Sequence, residues 1–136
     1  MVDGYADQFA DVDVDRVLDA LRLMRRASLL IRELEAYFAL HDLSQLRFLM
    51  MILIDREPER NCLAASEIAE RLDVSRPVVT RTLQGLERAG LIAISENSED
   101  ARSRNVTLTL SGKAKLDEVL PGYFAILHRP DPAADK

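Results

Sequence analysis

Residues 66–92 read SEIAERLDVSRPVVTRTLQGLERAGLI, and the spacing of their apolar and turn-forming residues predicts the fold. In the first part of this segment Ile68 and Leu72 recur at helical spacing with charged residues between them, which predicts a short amphipathic helix. Ser75 competes for backbone hydrogen bonds, and Pro77 disfavours helical dihedral angles in the residue before it. The chain is therefore expected to turn just before Pro77.

A second helix can begin directly after this turn. The Ser75 hydroxyl can accept a hydrogen bond from a first-turn amide, and Pro77 has no amide that needs a partner. Three apolar residues at spacings of four and three form an inward stripe, and a glycine provides a left-handed stop. These residues are Val79, Leu83, Leu86 and Gly90.

The other side of the second helix is polar and basic. It carries Arg76, Pro77, Thr80, Arg81, Gln84 and Arg88. Guanidinium and amide groups bind phosphates and form paired hydrogen bonds with the edges of guanine and adenine. The pattern therefore predicts a DNA-reading face, and an ordinary solvated helix face is the alternative that this helix alone leaves open.

Two short runs rich in β-branched residues follow, joined by a polar loop. The runs cover residues 91–94 and 106–110, and the loop covers residues 95–105. Arg102 and Arg104 in the loop can contact phosphates beside the basic helix, and Asp100 can orient Arg102 by a forked hydrogen bond. An exposed hairpin without a partner is the alternative. Helix, turn, helix and hairpin together predict a winged helix-turn-helix, a mainly α fold with a small β wing.

In combination, four segments resemble the MarR family of bacterial transcriptional regulators: SRPVVTR at 75–81, LERAGLI at 86–92, DAR at 100–102 and LTLSG at 108–112. The resemblance implies a homodimer that binds a pseudo-palindromic operator, usually as a repressor, and is often released by a small aromatic ligand or by oxidation. It places Arg76, Pro77, Thr80, Arg81 and Gln84 on the recognition helix and Arg102 on the wing, with Asp100 as the orienting partner.

Three features depart from the pattern of the family. Ile94 stands where a basic residue often ends the first wing strand. Ala64 stands where a threonine or serine usually caps the first helix of the motif, so that helix start is expected to be less well held. Pro121 and Gly122 are expected to break the chain where the family continues into a long dimerisation helix.

The N-terminal third predicts a long helix with two apolar seams. One seam contains Val17, Leu18, Leu21, Met24, Ser28 and Ile31, and the other contains Leu30, Leu34, Tyr37 and Phe38. This surface exceeds what one small domain covers, which favours a homodimer through this helix, and a helix wrapped by its own core is the alternative. Ser44 and Ser111 are expected to cap the two remaining helices.

Composition limits the size and class of the molecule. With 136 residues, 48% of them hydrophobic, the chain can build one core of ordinary size. We expect a flexible segment at 1–12 and one unit at 13–128, followed by a disordered tail at 129–136. That unit divides into an N-terminal helix at 13–42, the winged motif at 43–110 and a short C-terminal helix at 111–128.

Cysteine content and hydropathy bear on the compartment. No apolar run approaches the ~20 residues of a membrane span, and the acidic N-terminus is unlike a secretory signal. Cys62 is the single cysteine, which fits a reducing cytoplasm. A small buried hydrophobe is the ordinary role of such a residue, and an oxidation sensor is the alternative.

The net charge of −5 is unevenly distributed. Residues 1–43 hold nine acidic and five basic side chains, whereas residues 66–115 hold seven acidic and eight basic ones. A duplex experiences the local field, because charges more than ~10 Å away are largely screened at 0.1 M salt. The overall acidity therefore does not exclude DNA as a partner.

No constellation of residues indicates an enzyme, a metal site or a cofactor. His41 lies beside Asp42 without a nucleophile at a recognisable spacing, and His128 has no cluster of ligands around it. Tyr37, His41 and Arg47 are candidates for an effector pocket, although Arg47 can equally pair with a surface carboxylate.

The sequence thus predicts a cytoplasmic, dimeric, sequence-specific regulator that binds double-stranded DNA and is not an enzyme. A winged-helix interaction module that antagonises a longer regulator is the alternative.

Overall fold

A computed structural model describes residues 4–5, 7–57, 63–97 and 100–129, with the backbone alone at 97 and 100–104. The main helices are α1 (Val14–Ala39), α2 (Gln45–Asp55), α3 (Ala65–Leu72), α4 (Arg76–Arg88) and α5 (Leu110–His128). The strands are β1 (Leu63–Ala64), β2 (Ile92–Asn97) and β3 (Asp100–Leu108). The fold is mainly helical with one small antiparallel sheet, as predicted. Cys62 and the predicted tail from residue 130 onward lie outside the described residues.

The chain divides into two compact units, Met1–Ala36 and Tyr37–Lys136. The first unit contains most of α1, and the second contains the end of α1 and every other element named above. The subdivision at 13–128 made from the sequence stays a prediction. α1 itself ends at Ala39, three residues earlier than expected, and Asp42 adopts a φ of 57° where the chain turns toward α2.

Apolar side chains remain exposed along α1 within the first unit. They include Val17, Leu21, Leu23, Met24, Leu29, Leu30 and Ile31. Paired charges at i and i+3 lie between them, as at Asp19 and Arg22, whose charged atoms are 3.4 Å apart. Exposed ion pairs of this kind contribute little to stability. The helix therefore keeps a broad apolar surface open in the single chain.

The core of the second unit is built around an aromatic cluster. Phe38, Phe48 and Tyr123 bring the end of α1, α2 and α5 together, with ring centroids 4.7 to 5.8 Å apart. Met50 and Met51 are fully buried beside Phe48 on α2. Burying side chains of this size contributes roughly 1.5 to 3 kcal/mol each before entropy is counted. α2 begins at Ser44, whose hydroxyl accepts from the Arg47 amide at 3.1 Å, so the predicted cap is confirmed.

The sheet has the strand order β1-β3-β2, with both neighbouring pairs antiparallel. Leu63 lies opposite Val106, and Ile92 lies opposite Leu108. The predicted polar loop at 95–105 is wrong in extent, because most of its backbone continues the β2–β3 ladder. Position 110 was assigned to a strand, but it begins α5. The pairing of β1 with β3 was not predicted.

α5 corrects two expectations. Its N-cap is Thr109, whose hydroxyl oxygen accepts from the Gly112 amide at 3.0 Å, so the expected cap at Ser111 is wrong. The helix also continues through Pro121 to His128, so the expected break there is wrong too. Proline removes the amide that would bond the carbonyl of residue 117, and its ring crowds that carbonyl. Residue 117 is exposed, so its carbonyl can bond to water instead.

Gly122 allows Tyr37 to pack closely against α5 just after Pro121. A Cβ atom at Gly122 would collide with the Tyr37 hydroxyl oxygen, so only glycine lets Tyr37 approach α5 this closely. The Tyr37 hydroxyl donates to the Val119 carbonyl at 2.7 Å. These tertiary contacts outweigh the local preference of proline to end a helix. In the described part of the chain, no helix is long and apolar enough to span a bilayer.

Candidate nucleic-acid interface

α3 begins without a hydroxyl cap but with a partial substitute. Ala64 occupies the N-cap position and has no side chain that can accept a hydrogen bond. The Glu67 carboxylate accepts from the Ala64 amide at 3.2 Å, which forms one half of a capping box. Ile68 and Ala69 are buried, so the predicted amphipathic character of α3 is confirmed.

The turn between α3 and α4 uses a left-handed residue. Asp73 has a φ of 53°, which aspartate tolerates better than most residues. The amides of Asp73 and Val74 donate back to the Glu70 and Ala69 carbonyls, at 3.3 and 3.1 Å. The first helix is thereby closed within two residues, and α4 can start immediately.

Ser75 is the N-cap residue of α4, but its hydroxyl makes no capping hydrogen bond. The predicted hydroxyl bond is therefore wrong, although the predicted position of the helix start is right. Pro77 occupies the first turn and has no amide to donate, so one of the two usual donors to a capping oxygen is missing. The Ser75 side chain is exposed.

The inner stripe and the C-terminal stop of α4 agree with the prediction. Val79, Leu83 and Leu86 are 3% exposed or less. Gly90 has a φ of 76°, and the next amide, that of Leu91, returns to the Leu86 carbonyl at 3.0 Å. This left-handed end directs the chain into β2.

The outer face of α4 is exposed along its whole length. Its exposed residues are Arg76, Pro77, Thr80, Arg81, Gln84 and Arg88. Within the described residues Arg76 and Arg81 form no ion pair, and Arg88 Nε donates only to the Gln84 carbonyl at 3.4 Å. The molecule therefore does not neutralise these guanidinium groups with its own described carboxylates.

The wing residues lie on β3, but their side chains fall outside the described part of the structure. Asp100 is paired with Asn97 and Arg104 with Glu96 in the backbone ladder, which is irregular between Glu96 and Asn97. The predicted contact of Asp100 with Arg102 accordingly stays a prediction. The hairpin follows α4 directly through Gly90, so α4 and the wing are consecutive elements of one motif.

Arg71 was not predicted to belong to the site. Its Nη1 donates to Glu57 Oε2 at 2.9 Å, and Glu57 is only 8% exposed. Arg71 also lies 3.7 Å from Glu67 within α3. This network ties the chain after α2 to the first helix of the motif, and only the three-dimensional fold could reveal it.

The three candidate effector residues separate into two groups. Tyr37 and His41 contact each other with ring centroids 4.9 Å apart, and His41 Nδ1 lies 3.6 Å from a Glu118 carboxylate oxygen of α5. Arg47 instead lies against Gly85 of α4. A shallow groove of about 490 Å³ is lined by Pro121, Phe124, Ala125, His128 and Arg129, none of which belongs to the candidate set.

Comparison with known proteins agrees with this geometry. The MarR family model matches residues 41–103. The HTH-type transcriptional repressor YetL of Bacillus subtilis is 33% identical over 122 residues, which cover 89% of this chain and 72% of YetL. The chain belongs to the MarR family.

Solved structures with this MarR fold include two from different bacteria. The YusO protein of Bacillus subtilis is 27% identical with a TM-score of 0.66, over 85% of this chain and 82% of YusO. Sco3205 of Streptomyces coelicolor, a MarR family transcriptional regulator solved in complex with DNA, has a TM-score of 0.82 at 18% identity, over 91% and 81% of the two chains. At that identity the likeness to Sco3205 shows the fold alone.

Membership of the MarR family confirms the predicted family and the winged-helix fold. It also confirms that the chain is a transcriptional regulator of a DNA-binding family, not an enzyme.

Proposed function

We propose that this MarR-family chain is a sequence-specific repressor that binds a pseudo-palindromic operator in double-stranded DNA as a homodimer. The single observation that carries the proposal is the outer face of α4, where exposed arginines lie free of described carboxylates. A helix with this composition fits the major groove, because guanidinium and amide groups match phosphates and base edges.

The proposed roles follow the position of each residue on the motif. Ser75 and Arg76 at the start of α4 contact phosphates, since helix N-termini favour anions. Arg81 reads a base edge, and Pro77, Thr80, Gln84 and Arg88 complete the α4 surface in the groove. Arg102 and Arg104 contact the minor groove or its phosphates from the wing, with Asp100 orienting Arg102.

The homodimer is proposed to form through α1. Its support is the row of apolar side chains that α1 leaves exposed in the single chain. Two copies related by a two-fold axis would read half-sites about one helical turn, ~10 bp, apart. The sign of regulation is supported by the similarity to YetL, which is named a transcriptional repressor.

Release by a small aromatic ligand is proposed to act through Tyr37 and His41. Both side chains already engage α5, at the Val119 carbonyl and at Glu118. A ligand that binds either polar group must compete with these contacts. Ligand binding would therefore change how the end of α1 is attached to α5.

The proposed role of Arg81 predicts a loss of discrimination. Arg81→Ala should weaken operator binding by ~1 to 3 kcal/mol and relax the preference at one base position. Fluorescence anisotropy with selected operator fragments and with random DNA measures both effects, and Arg22→Ala on α1 is the charge-matched control. An equal loss on operator and random DNA would contradict base reading by Arg81.

The proposed role of Arg102 predicts a different signature. Arg102→Ala should weaken binding to all sequences alike and reduce the slope of log affinity against log salt concentration by about one. The same titrations at several salt concentrations give this slope.

A wild-type chain that stays monomeric and binds no DNA would refute the proposed function and favour the interaction module.

A further inference from the structure

A glycine lies buried in the middle of the proposed recognition helix. Gly85 is buried on α4, and glycine is the least favourable residue for a helix interior apart from proline. Its φ is not positive, so the backbone conformation does not require glycine. Glycine at position 85 is therefore explained by the space that a side chain there would occupy.

The space at Gly85 is occupied by the guanidinium group of Arg47 from α2. A Cβ atom at position 85 would collide with Arg47 Nη2 and would lie 3.1 Å from Cζ and 3.5 Å from Nε. The colliding atoms are the far end of a flexible side chain, so an added methyl group would displace the guanidinium group without disturbing the backbone. The absence of a side chain at Gly85 thus leaves room for the Arg47 guanidinium group to pack on the backbone of α4, and we call this packing position the seat of Arg47.

Arg47 is held on its own helix close to this seat. Its amide donates to the Ser44 hydroxyl in the first turn of α2, and the neighbouring Phe48 is 1% exposed in the aromatic cluster. The backbone of Arg47 is therefore held in α2, whereas its guanidinium group extends to α4. Arg47 as a whole is partly exposed.

The charge of Arg47 has no counterpart in the described structure. Its guanidinium group forms no ion pair and no hydrogen bond with a described residue. Within the same residues, no side-chain nitrogen is both buried and unpartnered, so the guanidinium nitrogens are open to solvent. An arginine that packs on a helix without a carboxylate keeps its full charge for an external anion.

The position of Gly85 places this charge beside the basic face of α4. Gly85 follows Arg81 by four residues and precedes Arg88 by three, and residues at these spacings are neighbours on a helix surface. The Arg47 guanidinium group therefore contacts α4 at a position that lies between Arg81 and Arg88 on the helix surface.

We propose that Arg47, seated on Gly85, is a DNA contact delivered from outside the helix-turn-helix, and that it binds a backbone phosphate. A phosphate is favoured over a base because the guanidinium group lies at the edge of the α4 surface and not at its centre. The inference rests on the proposed function, since it requires α4 to enter the groove.

Two single variants and their combination test this contact. Arg47→Ala should weaken binding to operator and random DNA alike, by about three- to tenfold, and should reduce the salt slope by about one. Gly85→Ala should reproduce this loss while raising the midpoint of thermal unfolding, because alanine displaces the Arg47 tip and favours the helix. The double variant should bind no more weakly than Arg47→Ala alone.

The control is Arg56→Ala at the other end of α2, which removes the same charge from an exposed side chain and should leave both affinity and slope unchanged. An unchanged salt slope in Arg47→Ala, or losses that add in the double variant, would overturn the proposal. The proposal would also be overturned if Arg47→Ala bound DNA normally but no longer bound benzoate, a carboxylate probe, in isothermal titration calorimetry. Arg81→Ala can still discriminate operator from random DNA while Arg47→Ala shows a reduced salt slope. In that case base reading by Arg81 is wrong and the phosphate contact of Arg47 is supported.

Discussion

At the scale of the residue, Gly90 shows how one dihedral angle sets the path from α4 into the wing. Its φ of 76° is costly for residues with a Cβ atom, and no atom lies within 4 Å of a Cβ added there. Gly90→Ala should therefore destabilise the fold by about 1 to 2 kcal/mol through backbone strain alone. Urea unfolding followed by circular dichroism measures the change.

Asparagine provides the matched comparison at the same position. It enters the left-handed region more readily than alanine, so Gly90→Asn should lose less stability than Gly90→Ala. If both variants unfold at the wild-type midpoint, the left-handed conformation at Gly90 does not make glycine necessary for stability.

Individual side chains also show what the sequence could and could not predict about the candidate site. The exposed face of α4 was predictable, because spacing along one helix decides which residues share a face. The seat of Arg47 on Gly85 was not, because it joins two helices 38 positions apart in the chain. The ion pair of Arg71 with Glu57 was missed for the same reason.

At the scale of the element, the start of α5 depends on Thr109. Its hydroxyl accepts from the Gly112 amide and donates to the Gly90 carbonyl at 2.6 Å, so one side chain joins the helix start to the end of α4. Thr109→Ala should cost about 1 to 2 kcal/mol of unfolding free energy. Ser111→Ala, at the cap position suggested by the sequence, should change it by less than about 0.5 kcal/mol. The opposite order in chemical denaturation would restore Ser111 as the cap.

The boundaries of elements were predicted less well than their types. β2 and β3 continue through charged residues, because backbone hydrogen bonds between strands do not depend on the side chains. The alternation of apolar and polar side chains identifies only the part of each strand that has one buried face. β1 has two residues, too few for a periodic signal. α5 continues past Pro121 where Tyr37 packs on Gly122 and Tyr123 stacks on Phe38, and no local sequence rule includes these tertiary contacts.

At the scale of the whole molecule, charge and apolar surface are unevenly distributed along the chain. Residues 1–43 carry four more acidic than basic side chains and include the exposed apolar seam of α1, whereas residues 66–115 carry one more basic than acidic side chain and include the basic face of α4. Such a division suits a protein that uses one region to pair with its own copy and another to bind a polyanion. A net charge of −5 is therefore compatible with DNA binding.

The proposed dimer gives the prediction that belongs to this scale. Leu21 and Met24 are 40% and 65% exposed on one seam of α1, and replacing both by glutamate would place two charges in the proposed interface. The double variant should sediment as a monomer at concentrations where the wild type is a dimer, and it should lose operator affinity although α4 is unchanged. Arg22→Glu adds the same side chain outside both seams and should remain dimeric. If the double variant also sediments as a dimer, α1 is not the dimerisation element, whatever α4 binds.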